Sequence, residues 1–271
     1  MTDSSKIRLH KLLAQAGIAS RRRAEAMIQA GEVKVDGKVV TQLGTLVDPH
    51  GERVEVNGRR IKIEAPHYRV LLKPRACLAT FAPSAPDSAE RRSIARFVPD
   101  REIGWHVVAP LDFLAEGVIL LTTDGTLAER MSRGGGHVPM TYHLKFQGEI
   151  GDEECARLRR GWKWEGRSVE PLRVAPIATT GKNTWVEMVV KETRARALRA
   201  AGELIRHSLL KISRVRLGGI SFEGLKMGGF RDLTKTEVKA LLAIARETAS
   251  RAQSPDPPER SPARRGYARR H

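Results

Sequence analysis

At 271 residues the chain is too long for one small module and suits two folded domains, one large enough for a substantial core. Lys and Arg outnumber Asp and Glu by 48 to 31, a formal charge of +17, so a polyanion is the expected partner, and without a basic amphipathic helix bearing bulky apolar anchors nucleic acid is favoured over a membrane surface. Cys77 and Cys155 stand far apart with no CxxC pairing and the eight histidines show no metal-ligand spacing, which excludes a zinc ribbon and argues against a disulfide framework. The first residues, Met1 to Lys6, lack an apolar signal core, and no run is long enough to cross a bilayer, so a cytoplasmic protein is expected.

From Ile7 the apolar residues Leu9, Leu12, Leu13 and Ala16 recur at helical spacing and stop at Gly17, which predicts a short amphipathic helix. Ser20 can cap a second helix that carries Ala24, Met27 and Ile28 on one face and ends at Gly31. Arg21, Arg22 and Arg23 in its first turn oppose the helix macrodipole, so phosphate binding explains them better than helix stability does. Val33-Lys34-Val35, Lys38-Val39-Val40, Val54-Glu55-Val56 and Arg59 to Ile63 read as alternating strands, joined by tight turns at Asp36-Gly37 and Asn57-Gly58.

The pattern breaks over residues 64–67, read as a linker, and Tyr68 to Arg75 opens a new apolar strand that ends in Lys73-Pro74. Residues 82–90, rich in Pro, Ser and Ala, predict a mobile loop. Two apolar runs flank Asp112, the second ending in Asp124-Gly125, and a short helix over Thr126 to Met131 follows, with Asp124 at its turn or cap. After the connection Gly134 to Gly136 come a strand over Met140 to Phe146, a helix at about Asp152 to Arg160, and strands over Val169 to Ile177 and Trp185 to Val190. A basic helix over Thr193 to Ile205, a strand over Leu209 to Leu217 and a closing helix over Lys235 to Arg246 complete the pattern. Strands interleaved with occasional helices give an α+β protein: a small helix-helix-strand domain at 7–63, then a larger, mostly antiparallel mixed-sheet domain at 68–247. Residues 250–271, with four prolines among arginines, predict a disordered basic tail. Trp162, Trp164 and Trp185 read as core packing, with base stacking as the alternative.

Two stretches resemble known families. Arg8-Leu9-x-Lys11-x-Leu13-Ala14-x-Ala16-Gly17-x-Ala19-Ser20-Arg21-Arg22, followed by Val-x-Val-x-Gly, resembles the ribosomal-protein-S4-like RNA-binding domain, which implies an RNA-facing surface of Arg8, Lys11, Ser20, Arg21, Arg22, Lys34 and Lys38. The segment Val108 to Gly125 resembles the catalytic segment of pseudouridine synthases, nearest the bacterial Rsu-type branch with its Gly-Arg-Leu-Asp and Gly-Leu-Leu-Leu-Leu-Thr-Thr-Asp-Gly. That resemblance implies isomerisation of a specific uridine in ribosomal RNA, with Asp112 as nucleophile and neither metal nor organic cofactor. It further implies that Tyr142 stacks on the flipped base, Arg199 pairs with Asp112, Leu198 lies under the base, and Arg196 belongs to the substrate pocket. Ribosomal RNA or a pre-ribosomal particle is the implied partner of a monomeric protein with no membrane attachment.

The chain also departs from the family pattern. Ala109-Pro110 stands for Gly-Arg, Ala195 and Ala197 stand for Asn and Gln, and Leu72 and Ala76 stand for Asn and Gly. These departures define an alternative: a catalytically weakened relative that binds ribosomal RNA as a ribosome-assembly factor.

Overall fold

A computed structural model of the protein describes residues 6–19, 21–49, 51–61, 65–81, 91–133, 138–191 and 195–253. Its N-terminal part runs β1 (Ile7–Arg8), α1 (Leu9–Gln15), α2 (Arg21–Gln29), β2 (Val33–Val35), β3 (Lys38–Val39), β4 (Leu46–Val47), β5 (Val54–Val56) and β6 (Arg59–Arg60). The first helix starts at Leu9 rather than Ile7, because Ile7 and Arg8 pair antiparallel with β4 and the Leu9 amide donates to the Thr45 carbonyl at 2.8 Å. That bond satisfies a donor which a free helix N-terminus would leave without a partner. Strands in the order β3-β2-β5-β6 make a small sheet. Asp36 and Gly37 (φ 48° and 79°), like Asn57 and Gly58 (φ 48° and 77°), have the paired positive φ of primed hairpin turns. The apolar faces of both helices meet Val33, Val47, Val54 and Val56 in a core of their own. Ser20, the expected cap of α2, lies outside the described residues.

The larger part comprises β7 (Tyr68–Lys73), β8 (His106–Val108), β9 (Glu116–Thr122), α3 (Gly125–Arg133), β10 (Met140–Gln147), α4 (Asp152–Arg159), β11 (Trp162–Trp164), β12 (Arg167–Val169), β13 (Arg173–Thr180), β14 (Asn183–Val190), α5 (Ala195–Ile205), β15 (Leu209–Leu217), β16 (Ile220–Ser221), β17 (Phe230–Asp232) and α6 (Lys235–Gln253). Nine strands form one sheet along the path β13-β14-β10-β15-β9-β7-β17, with β16 on β15 and β8 on β9. Its described ladders are antiparallel except for β15 with β9, where Arg214 is in register with Gly117. Gly117 has φ 121°, and a Cβ there would land on the Arg214 backbone, so glycine is required for the two strands to meet. Strand β10 alternates between buried and half-buried residues, the mark of a sheet covered by core on one face, whereas β9 is buried throughout.

Some boundaries differ from the sequence reading. The strand expected over Val169 to Ile177 is divided: β12 ends at Val169, and Pro171, which has no amide hydrogen for a ladder, separates it from β13. Pro176 is tolerated inside β13 because that strand is at the sheet edge, with a register shift between Pro176 and Ala178. A hairpin of β11 and β12 precedes it where no strand was expected at 162–164. Helix α6 begins with a capping box, in which Thr234 Oγ1 accepts from the Glu237 amide at 3.2 Å and Glu237 Oε2 accepts from the Thr234 amide at 2.8 Å, and it continues past Arg246 to Gln253. The expected mobile loop at 82–90, the Gly134 to Gly136 connection and the tail from 254 lie outside the described residues.

Candidate active site

The loop 109–115 between β8 and β9 carries Asp112. Its Oδ1 accepts from the Ala115 amide at 2.7 Å, a local turn that fixes the carboxylate's direction, and its Oδ2 accepts from Arg199 Nη2 of α5 at 3.1 Å. The sequence separates these two residues by 87 positions, and the tertiary structure brings them into contact.

A cleft of about 500 Å³ opens beside this pair, lined by Asp112, Phe113, Leu114, Trp164, Arg196, Arg199, Ala200 and Glu203. That volume is within the range of small-ligand pockets. Helical periodicity explains which α5 residues take part: 196, 199, 200 and 203 are neighbours on one stripe, while Ala197, Leu198, Ala201 and Ile205 form the buried stripe. Arg196 lines the cleft. Leu198 is completely buried on the stripe facing the core and does not line the described cleft.

Tyr142 also lies in the core. The alternation of β10 points Met140, Tyr142, Leu144 and Phe146 to one buried face; Tyr142 is 0% exposed, its hydroxyl is 3.5 Å from Met140 Sδ, and it does not line the described cleft. Its partner in register is Arg214, the largest completely buried side chain among the described residues. Arg214 Nε donates to the Val118 carbonyl at 2.6 Å and Nη2 to the Ala109 carbonyl at 2.5 Å. Burial lowers its pKa, opposed by the neighbouring Tyr142 hydroxyl.

Lys73 mirrors this arrangement at the other end of the loop. Fully buried at the end of β7, its Nζ donates to the Ala115 carbonyl at 2.7 Å and to the Pro74 carbonyl at 3.0 Å. Burial pushes its pKa down to about 8, against the opposing pull of Cys77 and Asp112. The loop bearing Asp112 is thus gripped by a buried cation at each end, Arg214 at Ala109 and Lys73 at Ala115. The sequence reading singled out neither as a site residue. A signal exists for one of them: Arg214 shares the inward parity of Ile212 in β15, and an arginine on a core-facing position calls for a buried partner.

Ala109 itself has φ 49° and Ala76 φ 53°, both left-handed, at the two positions where the family pattern has glycine. Each alanine stores backbone strain of about 1 kcal/mol. Asp124 serves the fold rather than the chemistry. Its Oδ1 accepts the Thr126 and Leu127 amides at 2.9 and 3.0 Å and so caps α3, while Oδ2 accepts from the Tyr68 hydroxyl at 3.3 Å. Burial first, and Asp124 second, push the Tyr68 pKa up to about 12.

Of the cations expected to face RNA, Arg8, Arg22, Lys34 and Lys38 are exposed and Lys11 is partly covered. Arg21 has turned towards the larger part of the molecule, with Nη1 3.8 Å from Glu129 on α3. Burial, aided by Arg21, lowers the pKa of the nearby His106. The three tryptophans diverge: Trp162 is buried and donates from Nε1 to the Ala197 carbonyl at 2.9 Å, Trp185 is half-buried near Lys145 and Lys211, and Trp164 lines the cleft. Among the described residues no group of His, Cys, Asp and Glu is arranged to hold a metal, and no helix is long and apolar enough to cross a membrane.

Comparison with known proteins agrees with this architecture. The S4 domain family model matches residues 7–54. The chain is 34% identical over 240 residues to the Bacillus subtilis ribosomal large subunit pseudouridine synthase B, covering 88% of this chain and 96% of the relative. It is 32% identical over 236 residues to an uncharacterized RNA pseudouridine synthase of Aquifex aeolicus, covering 87% and 94%. A solved pseudouridylate synthase structure shares the fold, with TM-score 0.57 and 22% identity over 87% of this chain and 99% of that one.

Proposed function

The chain belongs to the pseudouridine synthase family, and we propose that it isomerises one uridine of ribosomal RNA with Asp112 as the nucleophile. The observation that carries this reading is the Asp112 carboxylate itself, directed by the Ala115 amide and paired with Arg199 at the mouth of a cleft. The Arg199 guanidinium orients the carboxylate through a charge-assisted hydrogen bond at 3.1 Å.

The reaction is redox-neutral. The carboxylate acts at the ribose, by attack on C1′ or by assisting a glycal-type elimination, and the N1–C1′ bond breaks. The uracil turns within the cleft and a C5–C1′ bond forms; C5 gives up its proton and N1 gains one, so atoms balance without a co-reactant. The target must first leave its stack, and Arg196 at the cleft supplies a cation for the displaced backbone. Tyr142 supports the loop through Arg214, since its ring is enclosed in the core. Residues 7–63 are the docking module, in which Arg8, Lys11, Arg22, Lys34 and Lys38 supply sequence-independent phosphate contacts; Ser20 and Arg21 complete the proposed surface, Arg21 dividing its charge between RNA and Glu129. The name of the Bacillus relative makes large-subunit RNA the first place to look.

Pseudouridines are mapped across ribosomal and transfer RNA in cells lacking the gene, then after restoring wild type or Asp112→Asn. A site lost with the gene and regained only with wild type supports both reaction and nucleophile. Restoration by Asp112→Asn would remove Asp112 from its role, and an unchanged map would leave a non-catalytic RNA binder.

A further inference from the structure

The β11–β12 hairpin has no assigned part in the reaction, yet its geometry delivers an indole to the cleft. Glu165 and Gly166 form its two-residue turn with φ 47° and 75°, and Trp164 is opposite Arg167 in the ladder. Trp162 and Trp164 share one face by strand alternation. Trp162 is buried and tied by Nε1 to the Ala197 carbonyl, which anchors the hairpin against α5. Trp164, roughly 7 Å further along the strand, is half-buried and reaches the cleft beside Arg196 and Ala200. The same cleft is lined by Phe113, with the Arg91 guanidinium 5.2 Å from its ring centre, and by Leu114, which is 45% exposed.

An aromatic face, apolar lining and guanidinium groups in one cleft match an unpaired nucleobase with its phosphate. The ribose of the target uridine must lie against Asp112, and flipping that uridine deprives its neighbour of a stacking partner. We infer that Trp164 stacks on the nucleobase adjacent to the target uridine, with Arg196 at the connecting phosphate, so that the cleft selects an unpaired dinucleotide. This rests on the synthase reading, and the experiment separates the two.

The full chain is assayed on total ribosomal RNA from cells lacking the gene. In single-turnover pseudouridine formation Trp164→Leu should need about tenfold more enzyme for half-maximal rate, with a far smaller change in limiting rate, while Trp164→Phe should lose no more than about threefold. A packing role would accept leucine as readily as phenylalanine, so a Trp164→Leu protein that matches wild type overturns the inference. Tryptophan emission is then followed on RNA binding in the Asp112→Asn background, with and without Trp164→Phe. Stacking predicts stronger quenching when Trp164 is present; equal quenching overturns it. Absence of pseudouridine with wild type would defeat the synthase reading alone, because the emission arm decides the stacking without turnover.

Discussion

The N-terminal part and the sheet domain use positive charge in opposite ways. Around the small core of residues 7–61, Arg8, Arg22, Lys34 and Lys38 stand in solvent. In the sheet domain Arg214 and Lys73 are enclosed, each donating to a carbonyl of the loop that carries Asp112. Exposed cations are screened by salt and act as a field, so each is replaceable and their effects add. A buried cation has a desolvation cost and is kept by specific hydrogen bonds, so its removal is a local structural event. The first arrangement attracts a polyanion; the second holds one carboxylate still.

The sharpest test of this division is Asp112→Asn, which changes charge without changing shape. Pseudouridine formation should fall by roughly three orders of magnitude or more, while filter-binding affinity for ribosomal RNA stays within about twofold. Next in size is Arg214→Met, which leaves the Ala109 and Val118 carbonyls without their buried donor. A loss of about 3 kcal/mol in denaturant-unfolding stability is expected, with turnover falling far more than RNA affinity. If RNA affinity fell as much as turnover, the division between field and grip would fail.

Lys73 adds a pH dependence with a definite sign. Its pKa is pushed down to about 8 in the folded state from an ordinary 10.5, so the unfolded chain binds more protons between those values and stability gains with rising pH there. Below about pH 8 the buried ammonium is charged in both states and its desolvation cost is present in full. Stability of wild type relative to Lys73→Met, followed by denaturant titration, should therefore rise between about pH 8 and 10.5 and stay flat below. A falling difference would mean that the lysine is held charged by its neighbours.

Smaller effects are expected at the surface. Arg22→Ala, Lys34→Ala and Lys38→Ala should each weaken RNA binding a few-fold, reduce the slope of log affinity against log salt by about 1, and leave melting unchanged. Strongly non-additive losses would mark these residues as a specific site rather than a field. Smallest of all, Ala109→Gly and Ala76→Gly should each raise stability by about 0.5–1 kcal/mol in thermal unfolding, since glycine adopts positive φ without the Cβ penalty.

The elements that local periodicity defines were legible in the sequence, and so was the pair at the centre of the site. Asp112 and Arg199 were named through the family resemblance, and their 3.1 Å contact follows it. Leu198 was placed under the base by the family resemblance; a step of one residue on a helix turns the side chain by about 100°, which here sets Leu198 on the buried stripe beside the stripe that lines the cleft. Ile7 and Arg8 match a helical pattern but pair with Leu46 and Val47, since a two-residue strand has too little sequence to declare itself. Trp164 reads in the sequence as core packing with base stacking as the alternative, and it both packs against the core and lines the cleft.

By itself the sequence determined the family, the α+β class, the two RNA-directed regions and the carboxylate proposed to act, all of which rest on local pattern or on motifs within a short span. Only the tertiary structure decided what surrounds that carboxylate: the crossing of β9 and β15 at Gly117, the two buried cations gripping loop 109–115, and the indole that lines the cleft with Phe113. The physical reason is that these depend on partners 42 to 105 positions apart, as in Lys73 with Ala115 and Arg214 with Ala109, and buried polar groups select such partners by the hydrogen bonds that burial makes compulsory.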